Sequence, residues 1–85
     1  MKATLEELDS IIEREKRHMA REVHDEAWAD GYLEGIDAQL LAEAAICRAL
    51  EETVLLEGED AALSLLESIR ERVVSGDFNA HRTVQ

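Results

Sequence analysis

The sequence predicts an all-α protein of three helices, a helical hairpin followed by a shorter C-terminal helix, assembled as a dimeric helical bundle. Three observations carry that expectation. None of the 85 residues is proline, and the good helix formers Ala, Leu, Glu and Arg recur throughout. No alternating run rich in Val, Ile or Thr marks a strand. Apolar residues instead return at three- and four-residue steps, the period of one helix face. A chain this short makes one domain, expected over residues 1–78, with 79–85 as a mobile C-terminal tail.

The first helix is expected over residues 4–28. Thr4 followed by Glu7 reads as a capping box, in which hydroxyl and carboxylate each satisfy a free backbone donor. Leu5, Leu8, Ile12, Met19 and Val23 then share one face, with Ile11 beside them. Glu13 with Arg17, and Arg14 with His18, are spaced to line the solvated side.

Two readings compete for residues 30–37, DGYLEGID. Gly31 and Gly35 each cost about 1 kcal/mol against alanine within a helix, which favours a break and a hairpin, with Asp37 capping the second helix. Against this, the row Ala29, Leu33, Ile36, Leu40 keeps its phase through both glycines, as one continuous helix would. Carried backward, that register passes through Glu15, Glu22 and Glu26, which weakens the continuous reading. The two glycines also form a G-x-x-x-G spacing, whose helix-packing meaning belongs mainly to membranes. A turn is the preferred expectation.

The second helix, residues 33–57, is the clearest element. Ile36, Leu40, Cys47, Leu50 and Val54 form one row with Leu33 at its edge, and five alanines supply small, helix-forming surface. Gly58 should terminate it, and Gly76 should end a third helix over 60–75 that buries Ala62, Leu65, Leu66, Ile69 and Val73. Phe78 is placed to fold back on that last turn.

One member of the central row is a carboxylate, Glu43. Bare burial there would cost several kcal/mol, so Glu43 must lie at the rim, pair with a cation, bind a metal, or serve as a polar register-setter in a helix seam. The metal reading draws on Glu15 and His18, an E-x-x-H pair one turn apart that, with Glu43 and a second copy, resembles a carboxylate-bridged ligand set for a divalent metal. It needs a turn near residues 29–31 to bring Glu15 level with Glu43, and Lys16 and Arg17 oppose it. No cofactor is otherwise implied.

The remaining chemistry-bearing residues read as structural. Cys47 is the sole cysteine, so no internal disulfide forms, and no neighbour activates its thiol. Neither a phosphate loop, a dinucleotide fingerprint nor a zinc spacing is present, and the serines lack a nucleophile-elbow context, so the chain is expected not to be an enzyme. A net charge of −11 opposes nucleic-acid binding and suits a basic protein partner, or an acidic inhibitor of a basic nucleic-acid-binding enzyme. Residues 30–60 hold nine acidic side chains against Arg48 alone, whereas Arg14, Lys16, Arg17, His18 and Arg21 form a basic patch. That patch is a solvated helix face or the complement of a second subunit's acidic middle. Apolar runs fall far short of the roughly 20 residues a bilayer requires, and no leader is visible, so a cytoplasmic location is expected.

Only three aromatic residues are available, few for a self-sufficient core, and this is what motivates the homodimer. Trp28 and Tyr32, four residues apart, join Leu33, Ile36, Leu40, Glu43, Cys47, Leu50 and Val54 as the expected interface.

Overall fold

The structure, a computed structural model, describes residues 4–79. Three α-helices follow one another: α1 (Leu5–Leu33), α2 (Ala38–Glu57) and α3 (Glu59–Val74), and a single 3₁₀ turn at Asp77–Asn79 closes the described chain. Among the described residues there is no strand. None of the helices is long and apolar enough to cross a membrane. Packing divides the chain into two units, Met1–Ala42 and Glu43–Gln85.

In the N-terminal unit, α1 starts as its sequence dictates. Thr4 Oγ1 accepts the Glu7 N–H at 3.1 Å, and the Thr4 N–H donates to Glu7 Oε1 at 2.7 Å. Both halves of the capping box are made, satisfying donors that a helix start leaves free. The helix then continues past its expected end at Trp28 to Leu33, running through Gly31. It stops at Gly35, which takes φ 85°, the left-handed conformation that side chains with a Cβ avoid. The Ile36 N–H donates to the Gly31 carbonyl at 3.1 Å and the Gly35 N–H to that of Tyr32 at 3.0 Å. These two bonds make a Schellman termination and satisfy the last carbonyls of α1.

This settles the 30–37 segment in favour of a break and corrects its position. The preserved apolar phase that favoured one continuous helix has no structural counterpart, because the chain leaves helical geometry at residues 34–37. The second helix accordingly begins at Ala38 and not Leu33. Asp37 precedes it, with its carbonyl accepting the Leu41 N–H at 3.0 Å.

The two glycines do different jobs. Gly35 supplies the turn, while Gly31 stays helical and is the only buried residue of α1. A Cβ built on Gly31 would stand 2.7 Å from Leu41 Cδ2, so the missing side chain makes room for the first turn of α2.

In the C-terminal unit, α2 and α3 are joined through Gly58 alone. Its φ of 99° and ψ of 169° fall where essentially only glycine settles. Its N–H still donates to Val54 and its carbonyl accepts from Ala62, so one residue closes α2 and opens α3. Glu59 and Asp60 place negative charge at the positive end of α3. Ala62 is the buried residue here, whereas Leu65, Leu66 and Val73, expected to be covered with it, are exposed and Ile69 is half-buried. The helix ends at Val74, one residue short of the expected Ser75, and Gly76 follows with φ 87°. Phe78 folds back as anticipated, though onto charge: the Arg72 guanidinium lies 4.7 Å from its ring centroid while Arg72 Nε donates to Asp77 at 3.3 Å. Asn79 belongs to the 3₁₀ turn and not to a tail. Residues 80–85, the rest of the expected tail, lie outside the described residues, as do 1–3.

Candidate functional site

The residues expected to form an interface are displayed more than they are buried. In the N-terminal unit, Trp28, Tyr32, Leu33, Ile36 and Leu40 are all exposed, Leu33 at 84%. Leu33 is displayed because it ends α1, and Ile36 because it sits in the turn. On α1 itself, Leu5, Leu8, Ile11, Ile12, Met19 and Val23 are exposed as well. Isoleucine and leucine at helical spacing on one side of a helix are the mark of a face that packs against something.

The C-terminal unit carries the rest. Glu43, Cys47 and Val54 are exposed and Leu50 is half-buried. Cys47, Leu50 and Val54, with Glu51 and Leu55, line a shallow and mainly apolar groove along α2. Apolar side chains also occupy other sides of this helix, at Leu41, Ile46 and Leu56. A helix apolar on all sides is normally an interior helix, yet α2 has no buried residue. Glu43 lies in the row but in the open, so its carboxylate carries no burial penalty in the single chain.

Two participants were missed from the sequence. Leu41 falls off the expected row, and its value depends on Gly31 ten residues earlier. Leu55 widens the groove from the side of the row. Pattern alone gives no signal for Leu41, because nothing marks which of two glycines will stay helical.

Charge on α1 is resolved within the helix. Arg17 meets Glu13 at 2.6 Å, Arg21 meets Asp25 at 3.7 Å, and His18 Nε2 lies 3.3 Å from Glu22 Oε2. The expected Arg14 and His18 pairing gives way to His18 with Glu22, because an imidazole next to a guanidinium gains nothing while a carboxylate one turn on can accept its N–H. Three of the five residues of the basic patch, Arg17, His18 and Arg21, are thus paired with acidic neighbours on α1 itself.

The same geometry bears on the metal-ligand reading. His18 is directed to Glu22 and not to Glu15. Among the described residues no three His, Cys, Asp or Glu side chains gather as a metal-holding group. The turn is at Gly35, twenty residues beyond Glu15 and eight before Glu43. The levelling turn near residues 29–31 is absent, since α1 runs straight through them. No protein-family model matches the chain, and neither curated protein sequences nor solved structures contain a significant match to it.

Proposed function

We propose that this chain is a small, acidic, non-catalytic protein–protein interaction or regulatory protein that works as a helical homo-oligomer, most simply a dimer, in the cytoplasm. Its interface is the apolar face of α1 together with the row on α2, so that the assembled form is a helical bundle. The observation that carries this reading is the displayed apolar surface: Leu8, Ile12 and Met19 on α1 and Leu40, Cys47 and Val54 on α2 are all exposed in the single chain. Each large aliphatic side chain left in water forgoes about 1.5–3 kcal/mol of burial, and a contiguous face of them marks an interaction site. Two copies covering one another recover that free energy with no second gene product.

The acidic exterior is the part left to meet other molecules. With a net charge of −11, it attracts basic protein surfaces and repels nucleic acid.

The test is thermal unfolding followed by circular dichroism across about a hundredfold range of chain concentration. Association that stabilises the folded state makes the midpoint rise with concentration. A midpoint that does not move would count against the homo-oligomer.

A further inference from the structure

The apolar row of α1 matches a second copy of itself, and the charges beside it select one alignment. The row runs Leu5, Leu8, Ile12, Glu15, Met19 and Glu22 at alternating steps of three and four, the spacing of a coiled-coil seam. Its four apolar members are exposed, from 44% at Leu8 to 79% at Leu5. The contact that organises the N-terminal unit does not use this side. Gly31, against which Leu41 rests, lies about 130° round α1 from the row at 3.6 residues per turn.

A parallel pair in register would set Glu15 on Glu15 and Glu22 on Glu22 within the seam, where like charges repel with little water between them. An antiparallel pair places each glutamate opposite an aliphatic side chain. Among antiparallel alignments the flanking charges decide. Asp9 and Lys16 occupy the same flanking position of the seven-residue repeat, and in an antiparallel pair that position meets its own kind on the other helix. Aligning Leu8 with the partner's Met19 sets Asp9 beside the partner's Lys16, twice by symmetry. Sliding one repeat in one direction sets Asp9 beside the partner's Asp9. Sliding one repeat the other way sets Lys16 beside the partner's Lys16. Only the middle alignment pairs opposite charges at this position, in both of its symmetric copies.

We propose that a second copy of this chain covers the α1 row in antiparallel orientation, with Leu8 against the partner's Met19, Ile12 against the partner's Glu15, and Asp9 beside the partner's Lys16. This rests on the homodimer reading above and specifies its geometry. Glu15 then acts as the polar register-setter that the sequence suggested for Glu43.

The experiment uses the full chain in a Cys47→Ala background, whose mass is first measured by sedimentation equilibrium. Leu8→Cys and Met19→Cys are each introduced singly, refolded alone and as a mixture, and equilibrated in a glutathione buffer. The expected result is a covalent dimer in the mixture, joined between positions 8 and 19, and none from either protein alone. Asp9→Lys or Lys16→Asp should raise the dissociation constant several-fold, and the two together should restore it. A dimer that cross-links at 8 with 8 or 19 with 19, or not at all in the mixture, overturns the alignment and leaves the homodimer standing. A single-chain mass overturns both.

Discussion

Leu41 occupies the space that a side chain at Gly31 would need, with Leu41 Cδ2 only 2.7 Å from where the Cβ would be. Two residues on either side of the 34–37 break thereby fix how the first turn of α2 leaves α1. The contact predicts a non-additive pair. Gly31→Ala gains about 1 kcal/mol of helix propensity and gives most of it back by displacing a flexible leucine terminus, so alone it should change stability little. In a Leu41→Ala background the same substitution should stabilise by about 1 kcal/mol. Urea denaturation of the four proteins measures this; an identical effect in both backgrounds would remove Leu41 from the account.

The turn glycines predict a ranking. Neither Gly35 nor Gly58 has an atom within 4 Å of its would-be Cβ, so substitution there is strained by the backbone alone. Gly35→Ala should destabilise by about 1 kcal/mol, and Gly35→Asn by less, since asparagine tolerates the left-handed region. Gly58 holds the more restricted conformation, and Gly58→Ala should lose about 2 kcal/mol. Denaturation midpoints giving the reverse order would contradict the assigned geometries.

At the start of α1, Thr4→Ala should lose about 1 kcal/mol and Thr4→Ser almost nothing, because the serine hydroxyl still accepts from the Glu7 N–H. Amide hydrogen exchange localises the effect. Faster exchange should be confined to the first turns of α1, and a uniform increase along the chain would place the role of Thr4 elsewhere.

The two sides of α1 should respond differently. Arg17, paired with Glu13 on the solvated side, has a side chain 77% exposed, so Arg17→Ala should change stability by less than about 0.5 kcal/mol and leave assembly untouched. Ile12→Asp places a charge in the apolar row and should weaken association on the order of a hundredfold. Light scattering at matched concentrations reads both. Equal behaviour of the two variants would show that the row is not the interface.

Much of this fold was legible because its signals are local. Thr4 and Glu7 announce the start of α1 within four residues, and Gly58 and Gly76 end α2 and α3 where single residues must adopt positive φ. The break between α1 and α2 was legible in kind but not in place. A helical Gly31 and a left-handed Gly35 look alike in sequence, and what separates them is the packing of Leu41. The apolar phase running on through Leu33, Ile36 and Leu40 pointed to continuity, yet phase is no property of a chain that leaves helical geometry in between. The apolar surplus was legible but its cover was not: the row on α2 reads as needing cover, and nothing within one helix names what supplies it. Glu43 illustrates the same limit, since its place in the row says nothing of whether the row is covered at that point.

Sedimentation equilibrium of the unmodified chain, at several concentrations and in moderate salt, reads the proposed assembly itself. A homodimer gives a mass of two chains that falls toward one on dilution, and a mass held at two chains to lower concentration in Arg17→Ala than in Ile12→Asp. A mass of one chain at every concentration would contradict it.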